Sequence, residues 1–236
     1  MEKNVSFRIL ATSDTHFNFD AQGLNDKMPI KAGEYQDWFP DNVDVFIHAG
    51  DLMYHGTESE WYGRVESLKS VKADLKLYVP GNHDLFVQHY TGPANQDLRR
   101  MADVRMLGTH PKYLSYELRN KMRVLGLPHV TELPGWAFND TEERLYRMAE
   151  AIVEDYQNKK IDIVVTHSPP FGILDGSHWG VKAWNYLLVA LKPEIWICGH
   201  IHENYGVYCK DGTTFYNVAM LDRDYKFKNR PVLIEV

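Results

Sequence analysis

Val43-Asp44-Val45-Phe46-Ile47-His48-Ala49-Gly50-Asp51 is the stretch whose reading decides the fold. Residues 43–48 form a short run rich in β-branched and aromatic side chains, and it ends at a glycine followed by a carboxylate. Such a run bounded by turn residues predicts a buried strand. The same pattern recurs along the chain. Residues 7–12 lead into Asp14-Thr15-His16, and 75–79 into Gly81-Asn82-His83-Asp84. Residues 161–166 lead into His167, and 195–198 into Gly199-His200-Ile201-His202. In layered α/β folds, ligand sites gather beyond the carboxyl ends of strands. Five segments therefore bring Asp, Asn and His to one kind of position.

Working outward, 113–118 and 122–127 read as an antiparallel hairpin turning near Arg119-Asn120, and 205–208, 214–218 and 231–236 read as late strands. Thr57 and Glu60 have capping-box spacing, followed by Trp61, Val65 and Leu68 at helical intervals. Asp140 and Glu143 repeat that start, ahead of an apolar face of Leu145, Met148, Ala149, Ile152, Val153 and Tyr156. A third helix is predicted over 181–191, ending at Lys192-Pro193. Alternating strands and helices with one hairpin predict an α/β protein with a mixed sheet. Residues 17–40 fit no element and read as a long excursion with room for one short helix.

The chain of 236 residues has no repeat, low-complexity tract or obvious linker, and is expected to form one domain over 1–236. With 44% hydrophobic and 25% charged residues it is neither disordered nor collagen-like. No apolar run is long enough for a bilayer span, and the first residues lack the pattern of a signal peptide. Two cysteines, Cys198 and Cys209, exclude a disulfide framework and leave a single bond open. The expectation is a reduced, cytoplasmic protein without a membrane partner. Twenty-six basic and 32 acidic residues give a net charge of −6, which argues against broad nucleic-acid binding. Bound divalent cations would still let an acidic protein take an anionic substrate.

A lone Asp-x-His is common, and a lone Asn-His-Asp is usually a turn. Five such segments in order, each after an apolar run, point to a metal centre. Residues two apart in an extended segment point the same way, so Asp14 and His16 can converge on one ion. Carboxylate, imidazole and amide ligands suit Mn, Fe or Zn better than Ca. Asp14, His16, Asp51, Asn82, His167, His200 and His202 are too many for one first-row ion and suit two, with Asp51 as the natural bridge. Manganese is the favoured metal. Two such ions form a clamp for in-line displacement at phosphorus by a metal-bridging hydroxide. His83 is then the candidate proton donor to the leaving oxygen, and Asp84 the candidate for holding its ring in one tautomer.

These motifs resemble the calcineurin-like metallophosphoesterases, whose pattern is Asp-x-His, Gly-Asp, Gly-Asn-His-Asp/Glu, a His, then Gly-His-x-His. No motif position is missing between Asp14 and His202. The resemblance implies one metal site of Asp14, His16, Asp51 and His202, and another of Asp51, Asn82, His167 and His200. It implies His83 as the catalytic histidine with Asp84 as its orienting acid. It also implies a four-layer α/β/β/α sandwich with two mixed sheets flanked by helices. Ser13–His16, His48–Leu52, Thr166–Asp175 and Gly199–Glu203 are similar to the metallophosphoesterase domain-containing branch. That likeness implies a phosphodiesterase acting on small or nucleotide-like diesters.

Around this core, His55, Phe171 and His178 are candidate substrate contacts. For His55, the surface loop reading is the favoured of the two. The aromatic loop with Phe171, His178 and Trp179 can stack on a base or simply pack on itself. His48 reads as a satisfied histidine beside the site. The alternatives to a diesterase are a phosphomonoesterase or protein phosphatase on the same site, a nuclease, and a non-catalytic binding module. Oligomeric state is left open.

Overall fold

The computed structural model describes residues 6–16, 40, 43–109 and 114–236. The β-branched runs build two sheets. The first contains β1 (Arg8–Thr12), β2 (Val43–Ala49), β3 (Ala73–Val79) and β4 (Val104–Met106), paired parallel in that order. A terminal strand, β13 (Val232–Glu235), lies antiparallel beside β1. The second sheet contains β5 (Ser115–Glu117), β6 (Arg123–Leu127), β9 (Ile163–Thr166), β10 (Ile195–Cys198), β11 (Gly206–Lys210) and β12 (Thr213–Asn217). Its order is β11-β12-β10-β9-β6-β5, parallel in the centre and antiparallel at both edges. A small parallel pair, β7 (Val130–Thr131) and β8 (Asn139–Asp140), closes a surface loop.

Strand periodicity sorts the side chains into layers. Val45, Ile47 and Ala49 of β2 face Val124, Ile163, Val165, Ile195 and Ile197 of the second sheet, forming the core between the sheets. Phe46 points the other way, into a second core with Leu10, Trp61, Val65 and Leu68. That layer is covered by α1 (Glu58–Lys69), α2 (Leu85–His89) and α3 (Thr91–Asp97). On the far side, α4 (Glu142–Tyr156) and α5 (Lys182–Leu191) bury Leu145, Ile152, Trp184 and Leu187 against Trp196 and Phe215. The result is the expected α/β/β/α sandwich of mixed sheets. Burying each such large apolar side chain is worth about 1.5–3 kcal/mol.

The helix starts follow local chemistry. Thr57 Oγ1 accepts from Glu60 N, and Glu60 Oε2 accepts from the backbone N–H groups of His55, Gly56 and Thr57, a capping box that also ties down the loop before α1. At α4 the cap is Thr141 rather than Asp140, with Thr141 Oγ1 accepting from Arg144 N at 3.4 Å. Asp140 instead sits in β8 and accepts from the Thr141 N–H. The hairpin turns at Leu118–Met122 as expected. Its first residue, 113, and the expected excursion over 17–40 except residue 40, lie outside the described residues. The segment from 85 to 106 (two short helices, a π-helical turn at Leu98–Ala102 and β4) has no counterpart in the periodicity, because its elements are too short to establish a period. Cys198 and Cys209 are both free. They lie on β10 and β11 with β12 between them, so the strand order keeps them apart. Among the described residues, no helix is long and apolar enough to cross a membrane.

Buried Lys76 fastens helix ends to the first sheet. Its Nζ donates to the carbonyls of Leu68 at 2.9 Å, Lys69 at 3.2 Å and Ala102 at 3.4 Å. These carbonyls belong to the last turn of α1 and to the π-helical turn, where a helix runs out of intrahelical donors for its backbone oxygens. Lys76→Met keeps most of the stem and removes the donor. It is expected to lower unfolding stability by about 1–3 kcal/mol, measured by urea denaturation.

Candidate metal centre

The carboxyl ends of β1, β2, β3, β9 and β10 meet at one edge of the sandwich, where backbone bonds tie the segment after β1 to the second sheet and to the segment after β2. Ser13 N donates to Val218 O at 3.0 Å and Asp14 N to Gly50 O at 2.9 Å. Thr15 and His16 N–H groups both donate to Asp51 O at 3.1 Å. Asp14, His16, Asp51 and His200 all adopt positive φ, at 51°, 45°, 57° and 68°. Such conformations cost energy in a non-glycine residue and persist where surrounding structure enforces them. Four at one strand edge mark a site at which side-chain direction has priority over backbone comfort.

All seven sequence-derived ligand candidates come together here. Asp14, His16 and His202 form one group, His16, Asp51 and His83 a second, and Asp51, His167 and His200 a third, each with ligand atoms within 4.8 Å of one another. Asn82 joins the third through Oδ1, 2.9 Å from His167 Nε2. Asp51 is shared: His16 Nε2 lies 3.6 Å from its Oδ2, and His167 Nε2 lies 3.3 Å from its Oδ1. Asp14 Oδ1 lies 3.3 Å from His202 Nε2. Except for half-buried His200, the seven are buried.

The histidines are aimed by their other ring nitrogens. His16 Nδ1 pairs with Met53 O, His167 Nδ1 with Ala49 O and His202 Nδ1 with Asp222 O, each at 2.9 Å. An Nδ1–H donated to a carbonyl leaves the Nε2 lone pair free for a cation, the arrangement by which proteins orient metal-binding imidazoles. His16 Nε2 is buried without a hydrogen-bond partner. An orphaned nitrogen among carboxylate oxygens and further imidazoles fits a divalent ion.

Electrostatics separates the groups. Burial would raise the carboxyl pKa values of Asp14 and Asp51, but the adjacent His202 and His167, respectively, outweigh it and hold both well below the usual range. Burial alone would depress His167 and His202, yet Asp51 and Asp14 beside them bring each up to about 9. Burial pushes His16 down to about 3 and, helped by His167, pushes His200 down to about 4. Protons on His167 and His202 are thus held by the same carboxylates that would hold cations, so the two compete for one place.

Asp84 has a different position from the one its neighbour in sequence suggests. Its carboxylate accepts backbone N–H groups of Asp51 and Met53 at 3.0 Å and of Gly81 at 2.7 Å. It therefore ties the Asp51 loop to the Gly81 turn, and burial next to Asp51 raises its pKa to about 6. The His83 ring is oriented by Tyr54, whose carbonyl lies 2.6 Å from Nδ1. That leaves His83 Nε2 facing the centre, 3.9 Å from Asp51 Oδ2. A backbone acceptor has no sequence signature, which is why the adjacent acid is the natural expectation from sequence.

None of the three expected substrate contacts is among the converging side chains. His55 is exposed, with its ring edge-on to Tyr54 at 4.6 Å. Phe171 and His178 stack on each other at 5.0 Å, with Lys182 Nζ over Phe171. His48 is buried, with Nε2 2.9 Å from Thr15 Oγ1, as a supporting residue should be. Among the described residues, three aromatic side chains border the centre instead. Tyr225 lies 5.1 Å from both His16 and His202, Tyr54 lies 6.0 Å from His16, and Trp136 lies 4.1 Å from His83. Tyr54 could have been found, because it follows Asp51 in the same loop. Trp136 and Tyr225 sit on loops remote in sequence from every motif.

This fold and centre define a class of two-sheet protein with a buried carboxylate–imidazole cluster at one sheet edge. Comparison with known proteins agrees. The family model described as calcineurin-like phosphoesterase matches residues 7–204. The UPF0046 protein K07C11.7 of Caenorhabditis elegans is 30% identical over 206 residues, covering 82% of this chain and 68% of that protein. Metallophosphoesterase domain-containing protein 1 of Homo sapiens is 30% identical over 219 residues, covering 82% of this chain and 64% of that protein. The chain thus spans about two thirds of these relatives' lengths. The crystal structure of TT1561 of Thermus thermophilus superposes with a TM-score of 0.61 at 16% identity, covering 90% of this chain and 88% of that one, a likeness of fold. The chain belongs to the calcineurin-like phosphoesterases, a family of phosphoric ester hydrolases that are typically dimetal-dependent.

Proposed function

We propose that this chain hydrolyses small or nucleotide-like phosphodiesters with two divalent ions, manganese being the favoured metal. The observation that carries the reading is the set of imidazoles whose Nδ1 atoms are fixed on backbone carbonyls while Nε2 atoms converge on Asp14 and Asp51. Asp14, His16, Asp51 and His202 would hold one ion, and Asp51, Asn82, His167 and His200 the other. When bound, the pair would supply Lewis acidity to the phosphoryl oxygens and lower the pKa of the attacking water. The chain's own part is to place and protonate. Asp51, whose two oxygens face His167 and His16, would serve both sites. His83 presents Nε2 at the centre and donates a proton to the departing oxygen. The diester reading is supported by the aromatic rings that border the centre among the described residues: Tyr54, Trp136 and Tyr225 offer flat faces on which the second ester group of a nucleotide-like diester can rest.

The test is hydrolysis of a phosphomonoester and a phosphodiester reporter side by side, with Mn²⁺ and after chelation, for the unaltered chain and His83→Ala. Chelation-sensitive diester turnover that falls about a hundredfold or more in the variant is expected. A monoester preference would keep the centre and replace the substrate class. Metal binding without turnover of either ester would overturn the enzyme reading in favour of a binding module.

A further inference from the structure

His83 is held on more sides than its backbone partner accounts for. The Tyr54 carbonyl fixes Nδ1, which sets the direction of the ring but leaves it free to tilt about that bond. The His16 ring meets it edge-on, with centroids 4.5 Å apart and planes at 79°. The Trp136 indole lies against it with centroids 4.1 Å apart and planes at 41°. The imidazole is thus confined between a residue of the metal cluster and a tryptophan from a distant loop.

That loop is clamped to the turn carrying His83. Ala137 N donates to Asn82 O at 2.9 Å, and Phe138 N donates to Gln88 Oε1. Within the loop, Val130 N donates to Phe138 O, Leu133 N to Asn139 Oδ1 and Trp136 N to Leu133 O. Ala137 is fully buried, whereas Trp136 is 39% exposed. A large exposed aromatic side chain at the end of so many backbone bonds is placed for contact rather than for filling a core. We propose, resting on the reading of His83 as proton donor, that Trp136 is a positioning residue for His83 and keeps its Nε2 aimed at the leaving oxygen.

A proton donor matters most for a leaving group that is a strong base and least for one that departs readily as an anion. The full chain loaded with Mn²⁺ would be assayed on aryl phosphodiesters differing only in the acidity of the leaving phenol. In Trp136→Ala, kcat on the phenyl ester is expected to fall about tenfold more than on the nitrophenyl ester, with KM little changed. Trp136→Phe, which keeps an aromatic face, is expected to restore most of it. Bound metal per chain should stay as in the unaltered protein, which separates mispositioning from collapse of the site. A second readout needs no turnover. In the metal-free protein, the His83 Cε1–H proton resonance, identified by its loss in His83→Ala, should move between the unaltered chain and Trp136→Ala by the ring-current contribution of the indole, and lie between the two in Trp136→Phe.

Equal loss across the ester series, or a change confined to KM, would overturn the proposal and make Trp136 a substrate contact. So would a His83 resonance that stays in place between the unaltered chain and Trp136→Ala. If His83→Ala itself shows no leaving-group dependence, the proton-donor reading fails on its own, and the resonance alone decides whether Trp136 holds the ring.

Discussion

Asp51→Asn is expected to lower diester turnover by about a thousandfold or more and to reduce bound metal from about two ions per chain to one or fewer. The replacement keeps the shape of the side chain and changes what it offers. Aspartate presents two anionic oxygens, one 3.3 Å from His167 Nε2 and the other 3.6 Å from His16 Nε2. Asparagine presents one neutral oxygen, and its NH₂ must face an imidazole nitrogen whose lone pair is meant for a cation. The loss also reaches the loops, because Asp51 Oδ1 accepts from the His83 N–H at 2.8 Å. Elemental analysis of the purified variant and kcat at saturating Mn²⁺ check both halves. Two tightly held ions with turnover within tenfold of the unaltered chain would remove Asp51 from its bridging place.

The parts legible in sequence are those in which one residue type, at one spacing, has one physical explanation. Residues 43–48 run into Gly50-Asp51 because a buried strand must end before an acid can reach an open edge, and β2 ends at Ala49 accordingly. Asp14, His16, Asp51, Asn82, His167, His200 and His202 are found from their places after strands, and the structure brings all seven together. Contacts made by backbone atoms or by remote loops are not legible. The carbonyl of Tyr54, rather than the carboxylate of Asp84, orients His83. Tyr225 reaches the centre only because Asp222 folds the chain back on itself. The Asp222 Oδ1 accepts from the Asp224 and Lys226 N–H groups, and its backbone oxygen accepts from His202. A turn that holds tyrosine at φ 58° and braces a histidine at the same time depends on tertiary contacts, which periodicity does not encode.

The same division explains why a silent-looking methyl group should be among the most damaging changes. Gly81 opens the Gly81-Asn82-His83-Asp84 turn, and its sequence reading is simply that of a turn residue. In the structure it is the point at which two loops carrying candidate metal ligands touch. A Cβ built there would overlap Asp51 Oδ1 and lie 2.5 Å from the Asp51 backbone nitrogen and 2.7 Å from His167 Cε1. The Gly81 peptide cannot retreat easily, since its N–H donates to Asp84 Oδ2 at 2.7 Å and its carbonyl accepts from Asp84 N at 3.1 Å. The strain must therefore move Asp51, His167 or both. Gly81→Ala is expected to cost about 1–3 kcal/mol of stability, as overpacking does, and to reduce turnover about a hundredfold by displacing side chains that must converge within a fraction of an ångström. Gly92→Ala is the control. It lies in α3 with nothing within 4 Å of the added carbon, so it should leave turnover unchanged and gain up to about 1 kcal/mol of stability. Urea midpoints and kcat for the two variants, measured side by side, separate a glycine needed for close approach from one that is merely tolerated. Full activity in Gly81→Ala would mean that the two loops are free to part, and that the tight seating of Asp51 against His167 is not what sets the geometry of the centre.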